Sequence, residues 1–394
     1  MVSLRWGPLA VRALHLISAN PQPRDTSPTT YAQHTLLAAK ALQRWYDWST
    51  GTWNTTGWWN SANSLTVLTD WASLAKSDAD SINIADIISN TFRAAQIRNV
   101  LVRKSLSARG EITSTYTIGP PVNKRGYPGF LNDFYDDEGW WALALIRSWD
   151  VTKEQAYLDT AELIFKDMQN GTDSICGGGI FWSKQRMYKN AITNELYISV
   201  AASLGYRIVS KRDQYLQIAQ DAWAWFKRSG MINKDNLIND GLVINADGSC
   251  VNNGLQTWSY NQGVILGGLV EIYRVTGDKT LLDEAVNIAE AAIHKLRDET
   301  GIIREIDRCE PNCGNDGMQF KGIFVRNLKY LNAWVPKNLF KETIRKNADS
   351  IWENNRNDKN QFGISWAGPV DAGTGPTAGT HTSAMDVLVA ALSL

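Results

Sequence analysis

The part of this sequence best equipped for chemistry is Asp133-Phe134-Tyr135-Asp136-Asp137-Glu138-Gly139-Trp140-Trp141. Two adjacent carboxyls among aromatic rings suit a reaction that needs one ionised carboxylate and one protonated carboxylic acid at the same carbon. Cleavage of a glycoside through a covalent intermediate is such a reaction. One carboxylate attacks the anomeric carbon, and a second group about 5 Å away protonates the leaving oxygen. Two close carboxyls do not ionise equally, so one has its pKa raised into the working range of a general acid. Spacing does not say which is which. Acids at a helix start also act as caps or dipole partners, and an isolated Asp would need no further explanation; a neighbouring pair is harder to dismiss.

The elements that must hold these acids emerge from a repeat. Tyr157-Leu158-x-x-Ala161-x-x-Ile164, Tyr215-Leu216-x-x-Ala219-x-x-Ala222 and Leu281-Leu282-x-x-Ala285-x-x-Ile288 each place apolar groups on one face of a helix. Each follows a second apolar helix and a short turn, so the unit is a helical hairpin. Carried outward, the pattern predicts helices near 31–48, 61–75, 83–97, 138–149, 155–168, 192–208, 213–229, 262–275, 279–296, 321–333, 338–354 and 380–393. Strand-like alternation is scarce, which makes the chain all-α. Six hairpins close without an exposed apolar edge as an (α/α)6 barrel; an open superhelix of helical pairs would show the same periodicity. Long connections at 98–137, 169–191, 230–260 and 297–320 gather on one rim, where loops of that length are usually functional. The expected organisation is an N-terminal segment at 1–29, a degraded secretion signal or disordered lead, followed by a single catalytic domain at 30–394.

The inner helix starts line up through the repeat, with Asn63, Asp137-Glu138, Asn194-Glu195, Gln262 and Lys321 at equivalent positions. Polar groups there converge on one rim. Candidate ligand contacts are therefore Trp58 and Asn63, Tyr135, Trp182 after Gly177-Gly178-Gly179, Tyr188, Lys189, Asn190 and Asn194, Tyr260, Asn261 and Gln262, and Lys321 and Arg326. Amides donate and accept at once, and Lys and Arg bring directed donors, which suits a polyol. The plainer alternative is that Asn261 and Gln262 cap a helix and Arg326 pairs with an interior acid. The glycine triplet lacks the GxxxxGK[ST] pattern of a phosphate loop.

Composition narrows the partner. Lys plus Arg and Asp plus Glu number 40 each, leaving no global field for a nucleic acid or an anionic membrane. The 17 Trp suit stacking on sugar rings, although most of them fit core packing equally well. Cys176, Cys250, Cys309 and Cys313 form no metal-ligand pattern, but Cys309 and Cys313 can close a short loop, and the other two can pair across the fold in an oxidising compartment. His15, His34, His294 and His381 all lie outside the rim segments, which suggests neither a metal nor a Ser-His-Asp arrangement. Sequons at Asn54 and Asn170 suit secretion, and no segment reads as a membrane span or lipid-anchor tail.

Together these residues resemble glycoside hydrolase family 76, the fungal and bacterial endo-α-1,6-mannanases, over residues 30–394. The motifs that carry the likeness are Tyr135-Asp136-Asp137-Glu138-x-Trp140-Trp141, Cys176-Gly177-Gly178-Gly179-Ile180-x-Trp182, Tyr188-Lys189-Asn190-Ala191-x-x-Asn194, Thr257-x-x-Tyr260-Asn261-Gln262-Gly263 and Phe320-Lys321-Gly322-Ile323-x-x-Arg326. The resemblance implies an (α/α)6 barrel, α-1,6-mannan or manno-oligosaccharides as substrate, retention of configuration, and no metal or other cofactor. Carried onto the Asp pair, it makes Asp136 the nucleophile and Asp137 the general acid/base. A cell-wall branch of the family implies an alternative, transglycosylation of mannose-containing glycolipid anchors; a non-catalytic mannan-binding protein is the third reading. The expected setting is a monomer, secreted or in the cell wall, with no nucleic acid and no stable membrane association.

Overall fold

The computed structural model describes residues 28–106, 112–121 and 129–394, so residues 1–27 of the expected N-terminal segment lie outside the described residues. In chain order the helices are α1 (Pro28–Leu42), α2 (Trp58–Leu74), α3 (Lys76–Asp80), α4 (Ile84–Ala95), α5 (Tyr135–Thr152), α6 (Gln155–Gln169), α7 (Ala191–Arg207), α8 (Arg212–Arg228), α9 (Ser259–Thr276), α10 (Thr280–Leu296), α11 (Gly314–Gly317), α12 (Phe320–Asn332), α13 (Asn338–Asn354) and α14 (Ala378–Leu392). The short α3 and α11 lie in connections. The remaining twelve are the predicted helices, and they form an (α/α)6 barrel. The inner ring runs α2, α5, α7, α9, α12, α14, with each packed on the next and α14 closing back onto α2.

Burial separates the two layers as their residue patterns require. The outer α6 buries Tyr157, Leu158, Ala161, Ile164, Phe165 and Met168 along one stripe. The inner α7 is buried at every residue from Ala191 to Gly205, because it has ring neighbours on both flanks and an outer helix behind. Local caps set the helix starts: Asn190 Oδ1 accepts from Thr193 N at 3.3 Å before α7, and Thr377 and Thr380 cap α14 reciprocally. Gly277, at φ 71°, ends α9 in the left-handed conformation that glycine adopts without strain.

At the C-terminal ends of the inner helices, ion pairs close the axis. Lys329 meets Asp70 at 2.6 Å, Arg207 meets Glu271 at 3.3 Å, and Arg147 lies 3.8 Å from both Asp70 and Glu271. The opposite mouth, where the inner helices begin, is the end that carries the rim loops.

Three short hairpins depart from the all-helical expectation. The first helix stops at Leu42 rather than running to 48. There β1 (Tyr46–Asp47) pairs with β2 (Thr52–Trp53), while Asp47 Oδ1 turns the chain by accepting from Ser49 N at 2.8 Å. The largest departure lies in the connection read as a loop at 98–137. There β3 (Arg98–Leu106) and β4 (Ile112–Pro121) form an antiparallel pair in which Lys104 faces Ser114 and Val102 faces Tyr116. The third pair, β5 (Leu242–Ile244) and β6 (Cys250–Asn252), is tied to the 170s loop by the Cys176–Cys250 disulfide. Cys309 and Cys313 form the second bond. Among the described residues no helix is long and apolar enough to cross a membrane.

Candidate active site

Asp136 and Asp137 occupy the first turn of α5, at the open mouth of the ring. Asp137 Oδ2 accepts from Asn132 Nδ2 at 2.7 Å. Asp136 Oδ2 accepts from Trp182 Nε1 at 3.0 Å, and its Oδ1 accepts from the Asp137 backbone N–H at 3.0 Å. Between the two carboxyls stands Lys104 of β3, whose Nζ is 2.6 Å from Asp137 Oδ1 and 3.1 Å from each oxygen of Asp136. Both acids are buried beneath the hairpin, and the Asp137 side chain has no exposed surface.

The charges are far from their ordinary balance. Burial pushes Asp137 up to about 7; Lys104 opposes this and the neighbouring Asp136 adds to it. Burial also disfavours the Lys104 ammonium, but the two carboxylates overcome that and hold its pKa above the usual lysine range. The third acid of the run takes no part in this cluster. Glu138 accepts from Asn132 N at 3.1 Å and pairs with Lys184 at 2.9 Å, fixing the chain that leads into α5.

Two further acids face the pair. Asp240, from the loop before β5, is pushed by burial up to about 7, with Asp136 contributing; Tyr188 donates to one of its oxygens, and the other has no partner among the described residues. Asp316 of α11 accepts from Trp59 Nε1 at 2.8 Å and from Ser114 of β4 at 2.5 Å. Tyr260 lies within the field of Asp240, Asp136 and Asp316, its ring stacked on Phe320 at 3.8 Å. Among the described residues, buried Asn261 finds no partner for either polar side-chain atom. The mouth is thus an acidic, aromatic-walled chamber, and of the predicted contacts it gathers Trp182, Tyr188 and Tyr260 around the Asp pair.

Several other predicted contacts hold the frame instead. Asn194 accepts from Ile180 N at 2.9 Å and donates to Ile180 O at 3.0 Å; Gln262 does the same to Ile238, at 2.8 Å each way. An amide can satisfy both backbone groups of one loop residue, so these equivalent positions clamp successive rim loops. Lys189 Nζ is spent on Asp173 and on the carbonyls of Ile175 and Gly178, at 2.7 Å each. Lys321 is held by Glu310 and Ile364 O, and Asn190 caps α7. Trp58 is core, packed on Phe130 and Trp141, and the Tyr135 ring covers Gly171. Asn63 and Arg326 bond one another in the barrel interior, where Arg326 also faces Asp386 at 3.4 Å, the interior acid that was its alternative reading.

Sequence reasoning missed Lys104, Ser114, Asn132, Asp240 and Asp316. The alternation Val100-x-Val102-x-Lys104 was the available signal for the hairpin, and the length of the rim loops was the signal for the two acids.

Comparison with known proteins converges on one group. The chain is 28% identical over 219 residues to a mannan endo-1,6-alpha-mannosidase of Candida albicans, covering 51% of this chain and 48% of that one. It is 26% identical over 255 residues to one of Saccharomyces cerevisiae, covering 59% and 54%. The match thus spans about half the length of these curated relatives. Among solved structures, an inactive variant of the alpha-1,6-mannanase of Salegentibacter sp. HEL1_6, in complex with alpha-1,6-mannotetrose, superposes with a TM-score of 0.74 at 20% identity, over 92% of this chain and 98% of that one. Dfg5 from Chaetomium thermophilum, in complex with glucosamine, gives 0.72 at 18% identity over 93% and 90%. The family model described as Glycosyl hydrolase family 76 matches residues 30–394, every stave of the ring together with the rim that carries the Asp pair, and the chain belongs to that family.

Proposed function

We propose that residues 30–394 form one catalytic unit, a retaining, endo-acting glycoside hydrolase that cleaves α-1,6-mannosidic bonds in mannan, with Asp136 as nucleophile and Asp137 as general acid/base. The observation that carries this is the pair itself. Two neighbouring carboxyls meet at a single point, which suits the separation of about 5 Å that retention needs. Asp137, pushed up to about 7, can hold the proton that the leaving oxygen requires. Asp136 is aimed by Trp182 and by the Asp137 N–H, and its acceptor bonds suit an anion.

In the first step Asp136 bonds to the anomeric carbon as the glycosidic bond breaks, and the Asp137 proton passes to the departing oxygen. Asp137, now a carboxylate, takes a proton from water as that water attacks the same carbon, which releases Asp136. The mannosidase names of the relatives and the mannotetrose complex support this substrate class. The two disulfides support an oxidising setting, a secreted or cell-wall location.

A second reading is transfer of the mannosyl unit to a glycan acceptor. The chamber beside the acids favours it, because Asp240 Oδ1 and the Asn261 amide, buried and without a partner among the described residues, can hold an acceptor sugar next to the intermediate. Incubation with linear α-1,6-mannan, followed by reducing-end assay and NMR of the first-formed anomer, tests the proposal. New α-configured ends support it; no new ends, with or without an added acceptor, overturn it.

A further inference from the structure

The Lys104 ammonium stands at the point where the proposed reaction would place the anomeric carbon and its leaving oxygen. It touches both carboxyls at 2.6 to 3.1 Å, so no sugar can lie between Asp136 and Asp137 while it is there. The hairpin that brings it is held at a few points. Val102 packs with Phe134 and Trp182 in a small apolar cluster, Val100 and Tyr116 pack against both that cluster and the edge of the barrel core, Ser114 donates to Asp316, and the Tyr116 ring lies over Gly57. Lys104 also sits 4.7 Å over the Phe134 ring and 5.7 Å over that of Trp182. Within the hairpin, the register runs from Val100–Ile118 to Leu106–Ile112, so the hydrogen bonds between the two strands travel with it. The pair can therefore move as a unit without breaking its own ladder.

We propose that the β3–β4 hairpin is an intramolecular plug, with Lys104 occupying the reaction centre and both carboxyls, and that a glycan enters only when the hairpin lifts. The proposal deepens the glycosidase reading and rests on it for the identity of the glycan. Lifting exchanges one buried ion-pair cluster, the Ser114–Asp316 bond and the apolar contacts of Val100, Val102 and Tyr116 for contacts with a sugar, so the closed state taxes apparent affinity by the fraction of molecules that are open.

Two variants test it, each with a readout that needs no substrate. Lys104→Ala removes the ammonium, and Val102→Asp keeps Lys104 but sets a like charge beside the acids. In the wild type, Asp136 and Asp137 should resist a carbodiimide and amine label read by mass spectrometry. In both variants they should label about tenfold faster, while Asp386 in the barrel interior stays protected. Hydrolysis of α-1,6-mannotetraose should rise in kcat/KM by about tenfold, the gain expected when a ten-to-one closed state is relieved. Unchanged labelling in both variants overturns the plug, whatever hydrolysis does. Faster labelling with a loss of hydrolysis in Val102→Asp also overturns it, because the hairpin would then belong to the working site. Faster labelling with no turnover by any form leaves the plug standing and removes the mannanase reading.

Discussion

Asn132 donates to Asp137 Oδ2 at 2.7 Å while its own Oδ1 accepts from Phe134 N at 2.8 Å, so one residue both shapes the chain entering α5 and steadies the acid. The bond to Asp137 favours its ionised form. Asn132→Ala should therefore move the alkaline limb of the kcat/KM profile, expected near 7 from Asp137, upward. It should also lower the maximum by about tenfold, the weight of one bond to a charged group. A pH–rate profile of both proteins checks this; a limb that stays in place counts against Asp137 as the acid.

Replacing each Asp separates their roles. Asp136→Ala and Asp137→Ala should both lose turnover by at least about a hundredfold, with binding of α-1,6-mannotetraose largely kept. Added azide should rescue the first to a β-mannosyl azide and the second to the α-anomer, because azide replaces the nucleophile in one and attacks the glycosyl-enzyme in the other. The reverse pattern in the products would exchange the assignments.

Trp182→Phe keeps the ring beside Phe134 but removes the Nε1 donor to Asp136. A fall of about tenfold in kcat with little change in KM is expected, since the lost bond aims the attacking carboxylate. Steady-state kinetics with mannotetraose decides it.

Asp137, Asp240, Glu305 and Asp386 are buried acids pushed by burial up to about 7. Folded, each keeps a proton that the unfolded chain releases near 4. Their contribution to stability is therefore full below about 4 and is lost as pH rises toward and through 7. The melting temperature should fall between pH 5 and pH 8, read by calorimetry in buffers of low ionisation enthalpy. A rise over that range would show that these acids ionise without penalty.

The disulfides should differ in weight. Cys176–Cys250 closes 74 residues and Cys309–Cys313 only 4. On the chain-entropy account, replacing the first pair with Ser costs about 4 kcal/mol and the second clearly less. Urea unfolding of the two double variants measures the difference.

The helical frame was legible because its signal is long and redundant: outer stripes such as Tyr157 to Met168 repeat, and α10 and α13 were expected within a residue of where they lie. The Asp pair was legible for the opposite reason, as a rare local combination. The rim was harder. Asn194, Gln262, Lys189 and Lys321 have the chemistry of sugar ligands, and the same donors and acceptors serve a loop backbone equally well, so only geometry tells the uses apart. Lys104 was hidden because its hairpin draws its meaning from contacts across the barrel mouth, which residue alternation alone does not encode.

Ring closure through α14 has a consequence for synthesis. Five inner staves leave the ribosome while the flanks of α2 and α12 still lack the neighbour that residues 378–392 supply. Until that stretch emerges, the nascent chain carries an apolar seam open to chaperones and to other chains, so the sixth stave is the one that ends its exposure to aggregation.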